Sequence, residues 1–395
     1  MPAGKCPSCH DLEAYVVGAL SAGEKQAIAR HLSECTGCRA EEQRLQSDDM
    51  PLLASLFDPR WPPGYADEPA CQQALARAVA FALMRPPTDE AAPAGPPRPK
   101  AKRKLNRLRQ YRLLERLGGG GTGVVYKARH SRLDRVVAIK VLSKHLKKDP
   151  DALARFYREM KVIGKLDHPN IVRATDADED AGFHYLVMEL IEGHDLSSLV
   201  QHLGPLPVTD ACHLAQQAAR ALDYIHQHGL VHRDIKPSNM MLLANGQLKL
   251  LDLGLSLLRG DIAQETNLTT PGVLMGTCDY ISPEQCSDSH HVDIRADLYS
   301  LGCTLYELLC GRAPFGGPEY STPLKKVLAH MRSPAPPITD LRPDLPAELV
   351  RIVERLLAKQ PNDRFRTPAE LIVALQPFVK ESDLPGLVAH MERRA

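Results

Sequence analysis

Apolar and polar positions follow two rhythms along this chain. Between residues 111 and 189 they form short runs rich in β-branched and aromatic side chains, at Tyr111–Leu117, Val124–His130, Val136–Leu142 and Tyr185–Glu189. Runs of that length and composition predict strands. After residue 195 apolar positions recur every three or four residues, over Val208–His228, Asp293–Cys310 and Leu345–Lys359, which predicts helices. The order implies an α+β unit of two lobes, a small β-rich one and then a larger helical one, with a cleft between them.

Upstream the pattern is sparser. Leu12, Tyr15, Val16 and Ala19 share one face of a helix near Asp11–Leu20. Ser21 and Glu24 form a capping-box signal for a second helix, whose stripe is Ala27, Ile28, His31, Leu32 and Cys35. Together they predict a small all-α helical hairpin over residues 1–46. Residues 47–110 read as a linker. A short helical pattern, Ala70–Met84, is followed there by Pro86, Pro87, Pro93, Pro96, Pro97 and Pro99, which favour extended backbone and oppose packing. The main unit is expected over 111–378, with a C-terminal tail over 379–395.

Composition adjusts this picture only slightly. A chain of 395 residues exceeds one average domain. Its net charge of +1 gives no whole-chain attraction to nucleic acid or membrane, so no nucleic-acid partner is expected. The basic run Arg98–Arg109 holds seven Lys/Arg and no acid and reads as a solvated linker. No stretch approaches the roughly 18–20 apolar residues of a membrane span, and residues 1–20 lack a signal-peptide pattern. A cytoplasmic location is the expectation. Ten cysteines, four of them within residues 6–38, suit metal binding in a reducing compartment better than disulfides.

The chemistry concentrates in an ordered set of motifs. Leu117-Gly118-Gly119-Gly120-Gly121-Thr122-Gly123-Val124-Val125 carries G-x-G-x-x-G-x-V, whose glycines let backbone N–H groups approach phosphate oxygens. Lys140 follows in Val137-Ala138-Ile139-Lys140, on a strand that reads as buried. His232-Arg233-Asp234-Ile235-Lys236-Pro237-Ser238-Asn239 places an acid, a cation and an amide within six residues. Asp252-Leu253-Gly254 and Ser282-Pro283-Glu284 come next. Asp234 can orient a hydroxyl and accept its proton, while Lys236 offsets charge growing on a phosphoryl group. Asn239 and Asp252 supply the oxygen donors that hard cations select.

In that order the motifs resemble the bacterial eukaryotic-like branch of Ser/Thr protein kinases, from about residue 111 to 378. The resemblance implies a bilobal protein kinase fold, and transfer of the ATP γ-phosphoryl group to Ser/Thr hydroxyls of protein substrates with Mg²⁺ or Mn²⁺. It implies ATP contacts from residues 117–123, Val125, Ala138, Lys140, and the hinge at Glu189 to Ile191 behind Met188. It further implies that Glu159 pairs with Lys140, that Asn239 and Asp252 hold the metal, and that Glu284 pairs with Arg364. Asp297 is expected to brace the catalytic loop. Lys236 and Thr277 match the Ser/Thr branch. Arg233, beside Asp234, implies control by a phosphorylated activation loop, with Thr266, Thr269 and Thr270 as candidates and the last two favoured. Leu253 and Ser282 depart from the family's usual Phe and Ala. Cys278 stands where relatives place proline, which loosens the substrate-binding loop or offers a thiol for redox control.

At the N-terminus, His31-x₃-Cys35-x₂-Cys38 puts three ligands on consecutive helical turns. With Cys6 upstream they make a tetrahedral Zn²⁺ set, for which Cys9 and His10 compete as the fourth ligand. This stretch resembles the zinc-finger of zinc-binding anti-sigma factors, which implies a sigma-like or other regulatory partner for residues 1–46. Redox sensing and self-association are alternative uses. At the level of the whole chain, an active kinase with a zinc-binding arm stands against a nucleotide-responsive scaffold and against a transcription regulator switched by its kinase unit.

Overall fold

The structure is a computed structural model that describes Cys6, residues 28–32, 35, 37–39, 106–120, 123–142, 157, 159–253, 278–287 and 292–394. Several expectations lie outside the described residues: the helices Asp11–Leu20 and Ala70–Met84, and Cys9, His10, Gly121, Thr122, Gly254, Thr266, Thr269, Thr270 and Thr277. Two compact units divide the chain, Met1–Pro87 and Thr88–Ala395.

In the second unit the strand runs assemble an antiparallel sheet. Its members are β1 Arg107–Leu108, β2 Tyr111–Gly120, β3 Gly123–His130, β4 Val136–Leu142, β5 Ala174–Asp180 and β6 Phe183–Glu189, in the order β1-β2-β3-β4-β6-β5. β4 is central, bonded to β3 and β6, and its residues 137–142 are all buried. That burial explains its run of Val, Ala and Ile. Glycine is required at Gly123, with φ of 151°, because a Cβ there would stand 2.2 Å from the Val141 carbonyl oxygen. The start of β3 thereby lies flush against β4, with Gly123 opposite Leu142 and Val125 opposite Lys140.

β5 was not expected. Its sequence, ATDADED, has few apolar positions, but an edge strand with one wet side needs few. Arg109 pairs with Asp178 at 2.7 Å, and the Tyr111 hydroxyl donates to Asp176 at 3.1 Å.

The helical lobe is built on two long helices, Val208–Gln227 and Ile294–Cys310. Alanines at 211, 215, 218, 219 and 221 are buried on the first and permit close approach of the second, which is buried almost all round. Asp293 caps the second helix by accepting the Arg295 N–H, and Gly311, with φ of 80°, ends it. A small sheet, β7 Gly193–Asp195, β8 Met240–Leu243 and β9 Leu248–Leu250, lies at the cleft. The helix expected at Leu345–Lys359 is shorter, Ala347–Leu356, because Pro346 takes the N-cap position and Leu357 the C-cap.

The expected tail over 379–395 is not a featureless segment. It contains the helix Leu384–Arg394, with Leu384, Leu387, Val388 and Met391 buried. Buried Asp210 anchors its start by accepting the Ser382 hydroxyl at 2.9 Å and the Asp383 N–H at 2.8 Å.

In the first unit, residues 28–32 are helical, and the helical bond continues from the Cys35 N–H to the His31 carbonyl at 2.9 Å. Ile28, Leu32 and Cys38 pack together, with Cys35 against them. Among the described residues no helix is long and apolar enough to cross a membrane.

Candidate active site and candidate metal centre

A cavity of about 840 Å³ lies between the six-stranded sheet and the small sheet. One end is apolar, lined by Val125, Ala138, Met188, Ile191 and Met241. The other holds Gly118, Gly119, Lys140, Lys236, Asn239 and Asp252. The shape and polarity suit a ligand with a flat apolar head and an anionic tail.

β4 positions Lys140 as a buried cation, 2% exposed. A lone buried ammonium is costly, and here Asp252 offsets it, with Nζ and Oδ1 2.7 Å apart. Asp252 has φ of 59° and Arg233 has φ of 65°, a left-handed conformation that costs a non-glycine residue on the order of 1–3 kcal/mol. The surroundings over-determine it. Asp297, fully buried, accepts the N–H groups of His232 and Arg233, both at 2.7 Å. Burial raises the Asp297 carboxyl, while these two N–H bonds and the Arg233 charge pull it back. His232 bonds the Leu251 carbonyl through Nε2 at 2.9 Å and accepts the Asp234 N–H at Nδ1. One neutral tautomer, with the proton on Nε2, satisfies both.

Asp234 accepts Lys236 Nζ on both oxygens, at 2.9 and 3.0 Å. Asn239 donates Nδ2 to the Asp234 carbonyl at 2.8 Å and to its Oδ2 at 3.0 Å. That orientation commits the amide nitrogen and turns the Oδ1 end to other use, which fits a hard cation beside Asp252. Glu159 is half-buried on the helical stretch 159–163, and its charge acts on Arg233, whose guanidinium burial lowers while Asp297 and Glu159 raise it. The Glu284–Arg364 pair is bidentate, at 2.7 and 2.8 Å.

Three cavity features escaped sequence reasoning. Met241 and Leu251 line the apolar end, and only the pairing of β8 with β9 carries them there. Glu189 accepts Lys249 Nζ at 2.5 Å and the Arg173 N–H at 2.8 Å, which ties the last residue of β6 to β9. Asp279 and Tyr280 line the far wall. The departures from the kinase pattern are accommodated. Leu253 is buried in the main core. Ser282 and Gln285 form a reciprocal cap at the start of Pro283–Ser287, each accepting the other's backbone N–H, at 3.1 and 3.4 Å. Cys278 is buried and its thiol is pushed up to about 11, which leaves little thiolate for redox chemistry at neutral pH.

The protein kinase domain model matches residues 111–374, about two thirds of the chain. The chain belongs to the protein kinase domain family. Serine/threonine-protein kinase PknB of Mycobacterium leprae is 39% identical over 266 residues, covering 66% of this chain and 42% of that protein. PknB of Mycolicibacterium smegmatis is 38% identical over the same shares. The chain thus spans under half the length of these curated relatives. The crystal structure of the Mycobacterium tuberculosis PknI kinase domain is similar, with a TM-score of 0.53 and 30% identity over 68% of this chain and 96% of that one. Membership of the kinase domain family implies ATP and Mg²⁺ as ligands.

A second model, described as "Putative zinc-finger", matches residues 8–39. In the first unit Cys6, His31, Cys35 and Cys38 offer ligand atoms that all lie within 4.8 Å of one another. Tetrahedral zinc with thiolates at 2.3 Å needs ligands about 3.8 Å apart, so a small contraction would suffice. The Nε2 of His31 is buried with no hydrogen bond among the described residues, as suits a nitrogen meant for a cation. Hydrogen bonds from Cys38, backbone and thiol, lower the Cys35 thiol to about 7. Cys6 joins this cluster although the family match begins two residues after it.

Proposed function

We propose that this chain is a protein-serine/threonine kinase, transferring the ATP γ-phosphoryl group to protein hydroxyls. The carrying observation is that Lys140, Asp252, Asn239 and Lys236 meet in one cavity while Asp234 is held by two of them. The main chain at 189–191 takes the adenine between Val125 and Ala138. Residues 117–123 cover the phosphates, and Lys140 contacts them, steadied by Glu159. Asp252 and Asn239 would hold Mg²⁺, which neutralises charge on the β- and γ-phosphates. Asp234, oriented by its bidentate contact with Lys236, takes the proton of the acceptor hydroxyl late in transfer. Lys236 balances the charge that develops on the phosphoryl oxygens.

Incubation with labelled ATP, Mg²⁺ or Mn²⁺ and a generic protein acceptor tests this. Phosphoserine and phosphothreonine are expected; label on tyrosine alone, or none with either metal, would overturn the reading. Mass spectrometry of the same reaction is expected to find phosphate on Thr269 or Thr270, and the Thr269→Ala/Thr270→Ala chain to lose activity. Full activity in that variant would remove activation-loop control.

Residues 1–46 are proposed as a zinc-held arm, with Cys6, His31, Cys35 and Cys38 as ligands, that contacts a sigma-like or other regulatory protein. The purified chain is expected to carry about one zinc, and a chelator to lower its helicity. Metal-free protein with unchanged circular dichroism would argue against the site.

A further inference from the structure

Cys278, Asp279 and Tyr280 form a short segment beside the cleft. Asp279 and Tyr280 line the same cavity as Lys236, Asn239 and Asp252. Each part of this short segment is tied to the helical lobe. The Tyr280 hydroxyl donates to Glu307, and the Ser300 hydroxyl donates to the Tyr280 carbonyl at 2.7 Å. Asp279 meets Lys326 with Nζ and Oδ1 2.5 Å apart, an ion pair rather than an aligned hydrogen bond. The two side chains are 15% and 13% exposed, so the pair is largely removed from water.

Lys326 sits on the helix Pro323–Arg332, and His330 follows four residues later on the same face. His330 has no exposure. Its ring lies against the backbone of Asp279 and Cys278, and its Nδ1 shares a hydrogen bond with the Tyr299 hydroxyl at 2.9 Å. Burial drives the imidazole down to about 3, so it acts as a neutral ring. One helix face therefore presents a cation and a neutral imidazole to two consecutive residues of the cleft wall. Neither Lys326 nor His330 lines the cavity, so holding nucleotide does not account for them.

A buried ion pair seldom improves stability over apolar packing of the same volume. It does fix one geometry, since Asp279 must stay opposite a single ammonium while an apolar contact could slide. The retained charges therefore suit a segment whose position matters more than its stability.

We propose that Lys326 and His330 are positioning residues for the protein substrate, clamping Cys278–Tyr280 as the platform on which the acceptor chain lies. The inference rests on the proposed transfer to protein, and it separates the acceptor side of the cleft from the nucleotide side. The full-length chain is assayed with a protein acceptor, varying acceptor and ATP independently. Lys326→Met is expected to raise KM for the acceptor ~10-fold, because Asp279 is left buried without its partner, and to leave KM for ATP within about twofold. Removing both charges, as Asp279→Asn with Lys326→Met, is expected to recover most of the acceptor KM, since no uncompensated charge remains. His330→Gln is expected to act in the same direction as Lys326→Met.

An unchanged acceptor KM in Lys326→Met overturns the proposal. So does a parallel rise in both KM values with no recovery in the double variant, which marks a merely structural pair. If Lys326→Met does not fold, Lys326→Arg keeps the charge and is expected to raise the acceptor KM ~3-fold; no rise overturns the proposal equally. A wild-type chain that transfers nothing to protein defeats the kinase reading itself, a result distinct from any of these.

Discussion

Asp234→Asn is expected to lower phosphoryl transfer at least ~100-fold, the scale of a lost proton-transfer group, with ATP binding largely retained. Asparagine keeps the outline of the side chain but cannot take a proton. It also presents an amide to Lys236 Nζ, which now bonds both carboxylate oxygens. Lys140→Met is expected to lose a similar factor for a different reason. The buried ammonium is paired with Asp252 and is the proposed phosphate contact, so its removal takes away both the ion pair and that contact. Initial-rate measurements beside nucleotide-binding titrations separate the two. A rate within tenfold of wild type in either variant would count strongly against the assigned roles.

The second large effect concerns stability. Arg364 has no side-chain exposure, yet it donates to five acceptors: both Glu284 oxygens and the carbonyls of Arg295, Ala358 and Lys359. It also lies over the Tyr299 ring, 4.8 Å from its centre. Arg364→Ala strands Glu284 and three carbonyls, and is expected to cost about 3–5 kcal/mol, a large share of the roughly 5–15 kcal/mol typical of a domain. Arg364→Lys is expected to rescue little, because a single ammonium cannot reproduce the planar fork. Urea unfolding measures both, and a loss below about 1 kcal/mol for the alanine variant would show that the network is dispensable.

Much of the fold was legible because its signals are local. The run VVAIKVL can only be a buried strand, and a lysine within it demands a partner. The missed helix Leu384–Arg394 also carried a readable signal, since Leu384, Leu387, Val388 and Met391 repeat at helical spacing. Proximity to the chain end obscured it. The missed strand Ala174–Asp180 carried no such signal. Its acids are tolerated because Arg109 and Tyr111, some 65 to 71 residues away, take them up.

By itself, the sequence determined which chemistry is on offer. It supplied the order of strands and helices, the acid, amide and cations of the catalytic segment, and the cysteine–histidine spacing of the N-terminal unit. These are properties of neighbours along the chain, set by side-chain period and residue type. Tertiary structure decided who meets whom: Lys326 with Asp279, Lys249 with Glu189, Asp210 with Ser382, and Cys6 with a helix more than twenty residues on. It also imposed the left-handed backbone at Arg233 and Asp252. Such pairings depend on topology and on desolvation in a shared interior, where a charge finds its partner by position in space and not by distance along the polymer.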